Sequence, residues 1–528
     1  MVTANTSPFV VAVDVGSTSA RAGIFDQKGK RLARAEHPFA VGKPLRDHAE
    51  HSSDEIWQAV CKATRAALEE SRIRPDEIAG LAFDATCSLA MFDAAGRPVT
   101  VSSTGRDVWN VVMWADHRAV GEASEISATG HRTLDYVGGV MSPEMELPKL
   151  LWLKRNLPAA WARYGLALDL TDFLTWRATD RIAVSACTVT CKWAYLNHEN
   201  PGWQHDLLDR IGLSDLPARA RLPDRAMPIG TPAGPLSRRA AQELGLTERC
   251  IVGVGLIDAH AGGVGLLGAL DASGLNERLA MIAGTSTCHM AASNEPRQIR
   301  GVWGPYYGAM LPGLWLTEAG QSATGALLDY ILQWHAEGRA LGPQGHQRVS
   351  ARVQELLEQE GPSLAKDLTV LPDFHGNRSP LAEPAARGMI NGLTLDLGFE
   401  SLARLYYAAA VGIALGTRQI LEALNANGYD IRHLHLTGGH AANPWLVQLY
   451  ADATGCSIAL PVEPDSVLLG TAIVAAAAAG LQGSLAASAR AMIHPGGEIA
   501  PRADAAGHFG EQYRRFLLMQ KYQRDLRN

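Results

Sequence analysis

Two segments far apart in the chain carry one pattern of apolar and polar positions. Residues 9–30, FVVAVDVGSTSARAGIFDQKGK, run from an apolar β-branched stretch through a Gly-Ser-Thr turn into a second apolar stretch and a Lys-Gly turn. This predicts a glycine-cornered hairpin, because β-branched residues suit a pleated surface and glycine accepts tight-turn angles. Residues 277–293, ERLAMIAGTSTCHMAAS, repeat the scheme at a separation too large for a solenoid period, so a duplicated domain is expected.

Between the copies, 53–71 (SDEIWQAVCKATRAALEES) opens on a Ser-Asp capping signal and sets Ile56, Val60, Ala63 and Ala67 on one helical face. IAGLAFDAT (78–86) reads as a strand, the stretch from Leu405 to Tyr429 as a long helix, and HLHLTGG (433–439) as a strand ending in a turn. The Ala- and Gly-rich run 468–481 is too short to cross a bilayer and reads as a buried helix. Alternation of this kind predicts α/β architecture. The boundary falls around 255–275, where GLIDAHAGGVGLLGAL separates the two hairpin-bearing halves and offers glycines for a hinge.

Composition narrows the partners. A chain of 528 residues, 47% hydrophobic and 19% charged, can bury more than one core. A net charge of -6 without a basic block gives no reason to expect nucleic acid or an anionic membrane, which leaves small molecules. Seven scattered cysteines with no C-x-x-C pair read as reduced thiols, neither a disulfide framework nor a zinc site, and favour the cytoplasm. The first residues lack the basic start and long apolar core of a signal peptide.

The first turn, Asp14-Val15-Gly16-Ser17-Thr18, ends a strand on a carboxylate and continues with donors suited to phosphate oxygens. Alone it is equally an ordinary hairpin. The matching Gly284-Thr285-Ser286 turn lets two halves approach one polyphosphate from opposite walls of a cleft. There is no G-x-x-x-x-G-K-[ST] loop, and Gly253-x-Gly255 lacks the third glycine of a dinucleotide fingerprint. Asp258 follows the apolar run IVGVGLI and precedes AHAGGVG, which puts a carboxylate between a strand and a helix start, as a proton acceptor or simply a helix cap.

From Val10 to about Gly480 the chain resembles the FGGY carbohydrate kinases of the actin, Hsp70 and sugar kinase superfamily, and among them the ribulokinase group. The segments carrying the resemblance include VDVGSTSARAGIFD, GLAFDATCSLAMFD, NVVMWADHRA, TVTCKWAY, VGVGLIDAHAGGVG, AGTSTCHM, LTEAGQSATGALLDY and LTGGHAANPWLVQLYADATG, in family order. Lys149 and Trp152 match a K-x-x-W signature, whereas Glu146 stands where many members carry a small or hydroxyl residue.

The resemblance implies two ribonuclease-H-like α/β domains around an interdomain cleft. These would be a sugar-binding domain at 8–258, a nucleotide-binding domain at 259–490, and an irregular helical tail at 491–528. It implies Asp258 as general base, and Asp14 near Mg²⁺ and the transferred phosphate, partly through water. Thr18 and Arg21 match the first phosphate loop, although Arg21 equally suits an inter-strand ion pair. Gly284 and Thr285 match the second phosphate turn, Gly325 the glycine after EAGQSAT, and Gly439 with Asn443 the adenosine motif. His440 departs from the small residue common there.

Lys192 and Glu318 correspond to polar sugar contacts, and Ala85 with Thr86 to a loop under the sugar. Asp116, His117 and Arg118 either shape the substrate loop or form ion pairs. The implied reaction is ATP-dependent phosphorylation of D-ribulose to D-ribulose 5-phosphate. Ribitol, L-ribulose or another pentose derivative are alternative acceptors, and a non-catalytic sugar or nucleotide sensor is the alternative class. A homodimer is left open.

Overall fold

The computed structural model describes residues 8–527. Its first large sheet is built on the strand Phe9–Val15, antiparallel to Ser19–Phe25, which is antiparallel to Arg31–Pro38. On the other side of Phe9–Val15 the strand Ile78–Ala85 runs parallel, followed by Ile251–Gly253, also parallel, and Pro232–Pro235 at the edge. The short strand Leu256–Ile257 continues beside Asp84 and Ala85.

The second large sheet repeats this order. Arg278–Ala283 is antiparallel to Thr287–Ser293, which is antiparallel to Trp315–Gln321, while His433–Thr437 and then Ser457–Pro461 follow in parallel on the other side. Each half thus has a meander of three strands and two parallel strands in the order third, second, first, fourth, fifth. This is the ribonuclease-H-like topology, present twice, as the repeated hairpins predict.

Local chemistry explains the elements. Val10 to Val15 are buried without alternation, the mark of a strand covered on both faces. In the helix Ser53–Ser71, Ile56, Val60, Ala63 and Ala67 are all buried as the spacing predicts. Its cap lies one residue before the expected one: the Ser52 side chain accepts the Glu55 N–H at 3.3 Å, while Ser53 is buried inside the helix. The long helix runs Phe399–Asn425, beginning before Leu405. Among the described residues no helix is long and apolar enough to cross a membrane.

The glycine-rich stretch around 255–270 is no open hinge. Residues Asp258–Leu267 form a helix, and its glycines serve close packing. A Cβ on Gly265 would stand 2.1 Å from the Ser466 carbonyl oxygen, and one on Gly470 would stand 1.8 Å from that of Ala261. The helices Asp258–Leu267 and Ser466–Ala478 therefore meet backbone to backbone. The latter also lies on the first sheet, where a Cβ on Gly80 would come within 2.5 Å of the Ala475 carbonyl. Its side chains join the core of the first half although in sequence it lies between two strands of the second sheet, Ser457–Pro461 and Pro495–Ile499.

The segment after residue 490 is more regular than the irregular helix expected. Strand Pro495–Ile499 closes the edge of the second sheet, and helix Ala506–Arg527 buries Phe509 and Phe516 in the second core.

These contacts predict opposite outcomes for two glycines. Gly470→Val forces the paired helices apart and is expected to cost about 3 kcal/mol or more, lowering the thermal midpoint. Gly510→Ala in the last helix meets nothing within 4 Å and is expected to stabilise slightly, by about 0.5–1 kcal/mol. Thermal denaturation of both variants checks the pair.

Candidate active site

The parallel strands of the first sheet deliver carboxylates to one end of it. Asp14 and Asp84 are register partners on adjacent strands, and Asp258 begins the helix directly after Leu256–Ile257, the strand beside Asp84. Asp14 and Asp84 are buried. Arg21, opposite Asp14 across the hairpin, donates from Nη1 to Asp14 Oδ2 at 2.6 Å. The ion-pair reading of Arg21 is thus realised while its side chain still faces the cleft.

Three acids beside one cation leave the group short of positive charge. Burial raises the Asp14 carboxyl against the pull of Arg21, and burial together with Asp14 pushes Asp84 well above its ordinary value. Thr471 Oγ1 donates to Asp84 Oδ2, but the buried Oδ1 has no partner. Burial and Asp14 lift Asp258 to about 6. Asp258 Oδ1 accepts the Ala259 N–H at 2.7 Å, a cap-like bond that leaves Oδ2 for the cavity.

A hard divalent cation suits this excess of oxygen donors and the orphaned Asp84 oxygen. Among the described residues the carboxylate oxygens do not gather into a set of three direct ligands, so the fit is to an ion that keeps most of its waters.

Asp14, Arg21 and Asp258 line a cavity of about 340 Å³ between the two halves, while Asp84 lies buried beside Asp14. Asp14, Ser17, Arg21, Thr86, Lys192 and Asp258 face it from the first half, and Gly284, Thr285, Glu318 and Arg378 from the second. The two glycine turns therefore share one crevice.

One wall is cation-rich. Lys192 ends the helix Ala186–Lys192, with Nζ 4.3 Å from the centroid of Trp303, and the Arg378 guanidinium lies 3.9 Å from the same ring. Arg378 Nη2 donates to Glu318 Oε1 at 2.7 Å, and His260 Nε2 donates to Oε2 at 3.3 Å. Burial would raise the Glu318 carboxyl, but Lys192, His260 and Arg378 hold it well below the carboxylate range. His260 is itself lifted to about 9: burial opposes its charge, but Cys187 and Glu318 favour it. The wall presents a fixed carboxylate flanked by cations, a donor and acceptor set suited to a polyhydroxylated ligand.

Five expected site residues do not line this cavity. Thr18 is exposed at the tip of the first turn. Ala85 is buried between Val15 and Ile257 and supports the floor through its backbone. Gly325 buttresses the second turn: its N–H donates to the Gly284 carbonyl at 3.0 Å, and a Cβ there would approach that oxygen to 2.6 Å.

Gly439 and Asn443 follow the strand His433–Thr437, which neighbours the strand leading into Gly284. Gly438, at φ 91°, lies so close to that strand that a Cβ would sit 2.3 Å from the Ala283 carbonyl, whereas Gly439 opens onto free space. Asn443 Nδ2 donates to Ser350 Oγ at 3.0 Å. The buried His440 ring hydrogen-bonds the Tyr450 hydroxyl through Nδ1 at 2.9 Å, which commits it to the core.

Asp116 and Arg118 form a buried ion-pair network with Glu50, while His117 stands apart, its ring 6.0 Å from that of His375. Glu146, the departure from the family signature, pairs with Lys149 at 3.4 Å, both fully buried.

Sequence reasoning missed Arg378, Glu144 and Trp114, which also line the cavity, and the acid Asp84. Arg378 and Glu144 come from loops with no periodic signal. Asp84 was visible as a carboxylate ending a buried strand, the feature that drew attention to Asp14.

A cleft between two ribonuclease-H-like halves, with strand-end carboxylates on one side and a glycine turn on the other, is the arrangement of the actin-like superfamily that includes the sugar kinases. The chain belongs to the FGGY family of carbohydrate kinases: the family's N-terminal domain matches residues 9–265 and its C-terminal domain residues 279–479. An FGGY carbohydrate kinase domain-containing protein of Danio rerio is 43% identical over 98% of both chains. The D-ribulokinase of Saccharomyces cerevisiae is 38% identical over 89% of this chain and 72% of its own length. The fold is shared with a crystal structure titled a xylulose-type kinase from Brucella ovis, at a TM-score of 0.82 and 22% identity, covering 98% of this chain and 100% of the other. The protein is thus a carbohydrate kinase, and kinases of this family use ATP.

Arg378→Ala breaks a buried pair and leaves Glu318 with fewer donors. It is expected to lower kcat/KM for the sugar about a hundredfold, equivalent to about 3 kcal/mol, while nucleotide affinity changes little. Steady-state kinetics with calorimetric nucleotide titration check this.

Proposed function

We propose that this kinase transfers the γ-phosphoryl group of ATP to the primary hydroxyl of D-ribulose, giving D-ribulose 5-phosphate and ADP. The observation that carries the reading is the position of Asp258, on the cavity wall with the cation-flanked Glu318 and the Gly284–Thr285 turn around the same space. The pentulose assignment draws on the D-ribulokinase relative and on the ribulokinase-like motifs.

In this reading Lys192, Glu318 and Arg378 orient the sugar, with Thr86 and the backbone at Ala85 beneath it. Asp258 Oδ2 accepts the hydroxyl proton as the sugar oxygen bonds to phosphorus and the bond to the departing ADP oxygen breaks. Early deprotonation is not demanded, because phosphoryl transfer depends mainly on positioning and charge stabilisation. An ionisation near 6 makes Asp258 a better proton acceptor than an exposed carboxylate while leaving it mostly charged at neutral pH.

Gly284 and Thr285 cradle phosphates through backbone and hydroxyl donors, and Thr18 and Arg21 approach them from the first turn. Gly325 keeps the second turn close, and Gly439 and Asn443 border the adenosine. Mg²⁺, which Asp14 would hold largely through water with the buried Asp84 beside it, would supply charge neutralisation to the phosphates. The halves at 8–258 and 259–490 contribute mainly to sugar and nucleotide respectively, with Glu318 and Arg378 reaching across to the sugar.

Asp258→Asn keeps the shape of the site and removes the proton acceptor. Turnover is expected to fall about 10²- to 10⁴-fold with ATP affinity nearly unchanged. Near-normal turnover in this variant removes Asp258 from its role. An ADP-release assay across pentuloses, pentoses and pentitols is expected to give the highest kcat/KM for D-ribulose. A preference for ribitol or L-ribulose replaces the substrate assignment, and ATP binding with no turnover on any of them favours a sensor.

A further inference from the structure

Behind the sugar wall the fold assembles a group that sequence spacing does not reveal. Cys187 and Cys191 lie one turn apart on the helix Ala186–Lys192, and His260 projects from the helix Asp258–Leu267. One ligand atom from each lies within 4.8 Å of the others, and all three residues are buried. The scattered cysteines read from sequence as reduced thiols and not as a zinc site, because no C-x-x-C pair is present. Here the ligands are spaced instead by a helical turn and by the packing of two helices.

We propose that Cys187, Cys191 and His260 form a binding site for one zinc ion, which joins the helix carrying Lys192 to the helix carrying Asp258. Two thiolates and an imidazole are a preferred donor set for this ion, leaving a fourth position for water. The histidine is already oriented for the task. Nδ1 faces Cys187 Sγ at 3.0 Å, while Nε2 on the far side donates to Glu318 Oε2. A ligating imidazole whose other nitrogen donates to a carboxylate is the usual support for a metal-bound histidine. The Ile257 N–H donates to Cys187 Sγ at 3.5 Å, a contact that suits sulfur carrying negative charge.

Between Cys187 and His260 binding requires little movement. Sulfur and nitrogen ligands of a tetrahedral zinc ion stand about 3.5 Å apart, so the present 3.0 Å must open by about half an ångström. The sulfurs bind as thiolates and His260 as neutral imidazole, so zinc displaces the thiol protons and the Nδ1 proton of His260 to solvent, and the filled site carries no net charge. The cavity lies close by, since Lys192 next to Cys191, Asp258 two residues from His260, and Glu318 bonded to His260 all line it. A bound ion would hold the proton of His260 on Nε2 and keep Glu318 in place.

The test uses the full chain stripped with a chelator and titrated with cobalt(II), whose thiolate complexes absorb strongly in the near ultraviolet. One equivalent is expected to produce thiolate-to-cobalt charge transfer and the visible bands of a tetrahedral ion, and one equivalent of zinc is expected to abolish them. Zinc is also expected to raise the thermal midpoint. Cys187→Ser and Cys191→Ser should each lose the charge-transfer signal with the circular dichroism spectrum retained, while Cys456→Ser keeps it. Absence of the charge-transfer band in the wild-type chain overturns the proposal without recourse to any variant. So does a band that persists in both serine variants.

Discussion

The contact on which the site depends is the backbone-to-backbone meeting of the helices Asp258–Leu267 and Ser466–Ala478. Gly265 and Gly470 remove the side chains that would separate them, so each helix presses its peptide groups against the other. Asp258 sits at the first turn of one of these helices, and the other lies on the strand that ends at Asp84. The approach of the helices thereby sets the position of Asp258 relative to the strand that carries Asp84. It also joins the halves through a rigid packed element, so any relative motion must pivot around a tight joint and not a loose linker.

Electrostatically the cleft is divided. One side concentrates Asp14, Asp84 and Asp258, with Arg21 paired to Asp14, an arrangement that asks for added positive charge. The other sets Lys192, His260 and Arg378 around Glu318, so that carboxylate is paired before any ligand arrives. A cation accompanying polyphosphate suits the first side and an uncharged polyol the second. Burial is what makes the distinction strong, because neither group of charges can be screened by bulk water.

Much of the fold could be read from the chain. Apolar runs such as that of Phe9–Val15 are long and unalternating because both faces of the sheet are covered, and the recurrence of the hairpin revealed the duplication. Asp14, Asp258 and the two turns were legible for the same reason: each is a polar break immediately after a buried strand. Arg378 and Glu144 were not, since they reach the cleft from irregular loops. The last helix, Ala506–Arg527, was read as irregular because its polar composition obscures the few buried anchors, Phe509 and Phe516, that hold it.

The sequence by itself determined the strands, most of the helices, the repeated topology and the residue types available at strand ends, because these follow from local periodicity and backbone preference. Tertiary structure alone decided which charges become neighbours. It placed Arg378 on Glu318, set Arg118 on Glu50, and brought His260 against two cysteines. Such pairings arise from the packing of elements distant along the chain, and no local pattern encodes the distance between two side chains that meet only when separate helices and loops have docked.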